Sequence, residues 1–234
     1  MKKEISLLFS GGIDSTIAAM LLSKIYDKVH LLTYSNGYAH YGIHKSKKRF
    51  QELNKRFPGK FIFYSANIKK IFQEITVRNL LEDYKIYSSG FIWCLGCKLS
   101  MHIRTIIYNL ENNIKEVADG SAYDTSEMVE QKPISIALIK DLYGKYNLDY
   151  TTPVYRISRD KKRKKLKEMG FFMGIPIKDR YLGIQPRCIP GEIYYLSSFL
   201  FNKKRNHDDT KICAFFRNKQ RVISKCIKNY SKIN

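Results

Sequence analysis

The stretch Ser10-Gly11-Gly12-Ile13-Asp14-Ser15 decides the reading of this chain. It follows Ile5-Ser6-Leu7-Leu8-Phe9, an apolar run of strand length, and precedes Thr16 to Ile25, an apolar helix. A strand, a paired-glycine turn and a helix start make an anion site. Two glycines let the backbone turn tightly and approach a phosphate without a Cβ in the way. The successive N–H groups form a nest, and the helix that follows adds the positive end of its dipole. Ser10, Ser15 and Thr16 add hydroxyl donors. Asp14 would repel phosphate directly, so it is expected to hold Mg²⁺ or to orient the loop. The Gly-Lys-Ser/Thr of a Walker A loop is missing.

Outward from the loop, strand and helix signals alternate. Val29 to Tyr34 reads as a second strand, ended by Ser35-Asn36-Gly37. His44 to Phe57 reads as an amphipathic helix stopped by Pro58-Gly59. Phe61 to Ser65 is a third strand and Ile68 to Tyr84 a helix. A loop then leads to Cys94 and Cys97, with a helix from Lys98 or Ser100 to Leu110. Ile114 to Ala118 is a fourth strand, ending in Asp119-Gly120-Ser121. Helix returns around Ile136 to Tyr143, and Thr151 to Tyr155 is a short fifth strand. This order predicts an α/β protein with a doubly wound, Rossmann-like, five-stranded parallel sheet. Ligands of such sheets collect beyond the carboxyl ends of the strands. The glycine loop, Ser35-Asn36, Asp119 and the segment after Tyr155 all fall on that edge.

The chain has 234 residues, with 42 Lys plus Arg against 21 Asp plus Glu, a formal charge of +21. Such a field attracts polyanions, and nucleic acid is the commonest large one. The basic residues thicken from Ser158 onward, in Lys161 to Lys167, Lys203-Lys204-Arg205 and Arg217 to Lys228, the last inside a helix expected over Asp208 to Lys232. No apolar run is long enough for a membrane span, and the N-terminus lacks a secretory pattern. A cytoplasmic protein without a membrane partner is expected. Five cysteines, an odd number, argue against a disulfide framework and for metal, cluster or redox chemistry at Cys94-Leu95-Gly96-Cys97.

The phosphate loop in this context resembles the PP-loop family, the N-type ATP pyrophosphatases, whose fold is called adenine nucleotide alpha hydrolase-like. The match runs over about Ile5 to Glu192. It implies a PP-loop ATP-binding catalytic domain over residues 1–192 and a basic helical C-terminal extension over 193–234. It also implies a shared reaction: a substrate oxygen attacks the α-phosphate of ATP, pyrophosphate leaves, and sulfur or nitrogen then displaces AMP. On this resemblance the ATP site comprises Ser10, Gly11, Gly12, Asp14, Ser15, Thr16, Ser35, Asp119 and Gly120. Asp14 and Asp124 are the expected Mg²⁺ ligands. Ser158-Arg159-Asp160-Lys161 resembles the family's helix start that presents a Lys to ATP, with Arg159 at the matching place and Lys161 beside it.

Cys94 and Cys97 with a third cysteine, Cys188 in Gln185-Pro186-Arg187-Cys188-Ile189-Pro190-Gly191, look like the PP-loop sulfurtransferases. Three cysteines suit a [4Fe–4S] cluster whose fourth iron stays open to bind sulfide. They also suit a persulfide route, with one Cys carrying sulfur and another resolving the disulfide. Asp14, Cys97 and Cys188 are the expected catalytic residues. Cys213 and Cys226 read as small apolar side chains of the C-terminal helix. The expected function is an ATP-dependent sulfurtransferase acting on tRNA or a small acceptor, with a sulfur donor as further partner and a homodimer allowed. An amide- or nitrile-forming ligase of the same family is the alternative. A nucleic-acid-binding protein that kept the fold without catalysis is another.

Overall fold

The computed structural model describes residues 3–177, 180–182, 184–201 and 205–230. The chain begins with β1 (Glu4–Leu8), α1 (Ile13–Leu22), β2 (Lys28–Ser35), the two-residue β3 (His40–Tyr41), α2 (His44–Arg56) and β4 (Phe61–Asn67). It continues through α3 (Lys69–Phe72), a π-helical turn (Gln73–Val77), α4 (Leu80–Tyr87), α5 (Phe91–Glu111), β5 (Glu116–Asp119), α6 (Pro133–Gly144) and β6 (Asp149–Thr151). It ends with α7 (Arg159–Glu168), β7 (Ile175–Ile177), β8 (Arg180–Leu182), β9 (Arg187–Cys188), α8 (Ile189–Phe201) and α9 (Asp209–Tyr230).

Five strands form one all-parallel sheet in the order β4-β2-β1-β5-β6. This is the doubly wound, five-stranded α/β sheet that the sequence predicts. The order reverses between β1 and β5, and ligands of such sheets bind at that switch point. The sheet is buried on both faces, as parallel sheets are. On one face Ile5, Leu7, Val29 and Leu31 pack with Ile17, Leu53 and Leu166 of α1, α2 and α7. On the other, Leu8, Val117 and Tyr150 pack with Leu99, Ile103 and Ile106 of α5 and with α6 and α9.

Three elements differ from expectation. Cys94 and Cys97 lie within α5, not in a loop before it. The apolar spacing reaches back across them: Phe91, Ile92, Leu95 and Leu99 are all buried at helical intervals. The helix over Ile68 to Tyr84 is broken into α3, the π turn and α4. The turn seats Thr76 against Gly96 of α5, where a Cβ would lie 2.0 Å from the Thr76 hydroxyl. The fifth strand sits earlier, over Asp149–Thr151, where Val117 pairs with Tyr150. Pro153 has no N–H to extend the ladder.

The boundary anticipated at residue 192 falls inside α8. Asp208 caps α9 through the N–H of Thr210 (2.8 Å), and Ile212, Phe215, Phe216, Ile223 and Ile227 join the core around α5. A buried ion pair between Lys219 and Asp83 (2.6 Å) ties α9 to α4. Residues 203 and 204 of the basic run and residues 231 and 232 of the expected helix lie outside the described residues. Among the described residues no helix is long and apolar enough to cross a membrane.

Candidate active site

The loop Ser10-Gly11-Gly12 leaves β1 at the switch point and runs straight into α1. Gly11 has φ +76°, a conformation that favours glycine. A Cβ there would also come within 3.0 Å of the Ser46 backbone and 3.1 Å of Arg49. Arg49, buried in α2, donates from Nε to the Gly11 carbonyl (3.2 Å) and buttresses the loop from behind. The Thr16 hydroxyl donates to the Gly12 carbonyl (2.6 Å), and the Ser15 hydroxyl lies 3.2 Å from that of Ser10. Ser10 Oγ accepts from the Gly12 N–H (3.2 Å).

Gly120 touches the same loop from β5: a Cβ on it would lie 2.8 Å from Ser15 N. Asp119 is fully buried beneath. Its carboxylate takes an ion pair from Lys98 (2.6 Å) and hydrogen bonds from Ser121 N (2.8 Å) and Ser121 Oγ (3.0 Å). Burial by itself would raise its pKa. The Lys98 ammonium and the Ser121 hydrogen bonds outweigh that and hold it at about 2. His102 lies behind Asp119, hydrogen-bonded to Tyr143 (2.8 Å), and burial brings its pKa down to about 3. It is a packed, neutral core histidine.

The lysine that reaches the phosphate loop is Lys162. Its side chain is fully buried and its Nζ lies 2.6 Å from Asp14 and 3.4 Å from Asp124. Arg159 stands beside the same group, 3.9 Å from the Asp124 carboxylate, while Lys161 is exposed. The signal for Lys162 was in the sequence. Leu166 is the sole apolar residue of α7 and marks its inward face, and Lys162 sits one helical turn before it.

The cysteines approach this site from α5 and from the α8 end. β9 pairs antiparallel with β3, His40 opposite Cys188, which fixes Cys188 next to the segment that follows β2. A Cβ on Gly191 would sit 3.7 Å from the sulfurs of both Cys94 and Cys188, so the two thiols flank one glycine. Cys97 Sγ accepts a hydrogen bond from buried Asn36 at the end of β2 (3.2 Å). Burial pushes the Cys97 thiol up to about 12, with Cys188 and Glu130 adding to the rise. Burial also lifts the Cys94 thiol well above its ordinary value, and Glu130, Cys188 and Cys97 lift it further.

One segment joins the two halves. The Gln185 amide oxygen lies 2.1 Å from where a Cβ of Gly12 would be, and three residues later the chain carries Cys188. Ser35 Oγ accepts from Gly37 N (3.4 Å) and the residue pairs within the sheet at the same edge. Cys226 is buried in the core around α9, and burial raises its pKa to about 11; Cys213 is half-buried on the same helix. Asn36, Arg49, Lys98 and Glu130 carried no motif. Their roles come from tertiary contacts alone. Among the described residues, no group of three or more His, Cys, Asp or Glu side chains is placed to hold a single metal ion.

No protein-family model matches the sequence, and no curated protein is significantly similar to it. Solved structures do resemble it. A 4-thiouridine synthetase in complex with RNA and bound ATP superimposes with a TM-score of 0.61 at 14% identity, covering 98% of this chain and 53% of that one. This chain therefore spans about half the length of that protein. A predicted subunit of tRNA methyltransferase from Methanocaldococcus jannaschii aligns at 22% identity over 70% of this chain and 75% of that one, with a TM-score of 0.44, too loose to add to the comparison. Over nearly its whole length the chain shares the fold of part of the 4-thiouridine synthetase structure, the doubly wound parallel α/β sheet that its sequence led us to expect.

Proposed function

We propose that the chain is an ATP-dependent sulfurtransferase acting on tRNA. The observation that carries this is the continuity of the two sites: the segment whose Gln185 lies against Gly12 also places Cys188 beside Cys94. A phosphate loop alone would serve any adenylating enzyme. A phosphate loop strapped to a pair of neighbouring thiols, Cys94 and Cys188, with Cys97 one turn further along α5, suits delivery of sulfur to the atom that ATP has activated. The solved structure with the same fold, a 4-thiouridine synthetase bound to RNA and ATP, supports the reading, as does the charge of +21.

The chemistry assigns each group a task. Backbone N–H groups of the glycine loop and the first turn of α1 hold the pyrophosphate, with hydroxyls from Ser10 and Ser15, while the buried Thr16 hydroxyl braces the loop through the Gly12 carbonyl. Ser35 and Gly120 bound the nucleotide on either side, and Asp119 fixes the loop that carries Gly120. A base oxygen attacks the α-phosphorus, the α–β bond breaks and pyrophosphate leaves with both bonding electrons. Sulfide from an external donor then forms a carbon–sulfur bond and AMP departs with the oxygen. Lys162 and Arg159 neutralise charge on the phosphates.

Asp14 and Asp124 already surround one buried cation, the Lys162 ammonium, and this pair of carboxylates fits Mg²⁺ arriving with ATP. Cys94, Cys97 and Cys188 fit a [4Fe–4S] cluster better than a single ion. Cys94 and Cys188 flank Gly191, Cys97 follows Cys94 by one turn of α5, and two of the thiols are held neutral until a cation is supplied. Bound there, the cluster would supply an iron at which sulfide is held.

The test separates the half-reactions. Cys94→Ser, Cys97→Ser and Cys188→Ser should each retain tRNA-dependent ATP–pyrophosphate exchange and lose thiolation. Asp14→Ala should lose both. Thiolation that survives all three cysteine changes would overturn the proposal.

A further inference from the structure

The described surface carries two separate basic faces, on opposite sides of the sheet. On α9, Arg217, Arg221, Lys225 and Lys228 are exposed at spacings of four, four and three residues, which puts them in one stripe. On the other side, α2 exposes Lys47, Lys48 and Lys55, and α7 exposes Lys161, Lys164 and Lys165. These two helices are tied together. Arg56 of α2 donates to the carbonyls of Met169 (3.0 Å) and Gly170 (2.8 Å) just past α7, and its guanidinium lies 4.2 Å from the Phe171 ring centre. The one acidic residue of α2, Glu52, is paired with Arg49 (2.5 Å).

The two faces differ in where they stand relative to the phosphate loop. Helix α2 follows the carboxyl end of β2, and its first turns abut Gly11 through Ser46 and Arg49. Helix α7 leaves the same edge after β6, and its inward Lys162 reaches Asp14. The lysines at 47, 48, 161, 164 and 165 therefore crowd the edge where ATP is held. Helix α9 begins at that edge, where Asp209 pairs with Lys132 just ahead of α6 (2.5 Å). It then descends alongside α6, and Gln220 meets Lys145 just past the far end of that helix (2.8 Å). Its stripe from Arg217 to Lys228 stands on the far side of the sheet from α2 and α7, where α9 also packs on the π turn Gln73–Val77.

We propose that the face built from α2 and α7, and not the stripe on α9, grips the phosphate backbone of a folded RNA. The proposal rests on the reading of RNA as the acceptor and deepens it. One helix then meets two polyanions: the inward side of α7 meets ATP through Lys162, and the outward side meets RNA through Lys161, Lys164 and Lys165. An acceptor base presented from this side has the shorter path to the phosphate loop.

The experiment compares two quadruple charge reversals in the full chain, with bulk tRNA as the probe in fluorescence anisotropy across a salt series. One is Lys47→Glu, Lys48→Glu, Lys164→Glu and Lys165→Glu; the other is Arg217→Glu, Arg221→Glu, Lys225→Glu and Lys228→Glu. Far-UV circular dichroism and ATP binding check the fold. Lys→Gln versions of the first set replace it if the Glu version is misfolded. The first set should weaken binding by about 100-fold or more and flatten the log–log salt slope by about three to four, at about 0.9 for each phosphate no longer neutralised. The second set should stay within about threefold of the parent. Weakening by the second set with binding retained in the first overturns the proposal, and so does equal weakening by both. Failure of the unmodified protein to bind tRNA at about 50 mM salt, with ATP binding intact, instead removes the RNA acceptor itself.

Discussion

Replacing Lys162 by Met tests the architecture of the candidate ATP site at the side chain that joins Asp14 to Asp124. The ammonium sits 2.6 Å from Asp14 and 3.4 Å from Asp124, and its own side chain is fully buried. Methionine keeps the length and apolar stem but removes the charge, leaving two carboxylates facing each other. Truncating one partner of a fully buried ion pair costs about 3–5 kcal/mol. The Asp14 and Asp124 side chains keep 35% and 26% of their exposure, so water recovers part of that. We therefore expect a loss of about 2 kcal/mol, which lowers Tm by about 4–8 °C in a domain of this size. Turnover should suffer more. Removing one preorganised charge at a reacting phosphate costs about 100- to 1,000-fold in kcat. The assay is release of AMP and pyrophosphate, with Lys161→Met as the control: Lys161 is exposed and its change should alter turnover less than about threefold at saturating RNA. A Lys161→Met variant impaired as deeply as Lys162→Met, or a Lys162→Met variant with parental activity, would refute this placement.

Three further outcomes follow from the geometry. Gly120→Ala would drive a Cβ to 2.8 Å from Ser15 N, a backbone atom that cannot swing aside, and should cost about 1–3 kcal/mol in urea unfolding together with most of the ATP turnover. His102 is held near pKa 3 in the fold against 6.5 ordinarily, so its contribution to stability is complete above pH 6.5 and drains away as pH falls toward 3. Between pH 6.5 and 5 the loss is about 2 kcal/mol, and His102→Asn should show a correspondingly shallower pH dependence in the same urea titrations. Protein purified without oxygen should be brown, contain iron and sulfide, and bleach in air. Cys94→Ser or Cys188→Ser should abolish the colour, whereas Cys213→Ser should keep it.

The fold was legible because its signals are local. The five parallel strands and the glycine loop each announce themselves over a few consecutive residues, and the loop's position after the first strand places it at the switch point. The candidate site was legible only where a motif carried it. Cys94, Cys97 and Cys188 could be named, yet their true setting, two on one helix and one on a strap beside Gly191, depends on packing across 94 residues of chain from Cys94 to Cys188. Lys162 escaped because the motif match pointed to Arg159 and Lys161, although Leu166 marks the inward face of α7. Glu130 escaped, and Asn36 was placed on the ligand edge without its contact to Cys97, because nothing in their neighbours' identities marks a thiol across the fold. Pro153 explains the misplaced fifth strand, an effect of one missing N–H that apolar spacing does not register.

The most direct measurement combines product analysis of both substrates. Anaerobically prepared protein is incubated with labelled ATP, tRNA and sulfide; the nucleotides are resolved by chromatography and the digested tRNA by mass spectrometry. The account predicts AMP and pyrophosphate, with one thionucleoside formed for each AMP that depends on tRNA. ADP and phosphate as the products, or AMP formed with tRNA that gains no sulfur, would contradict it.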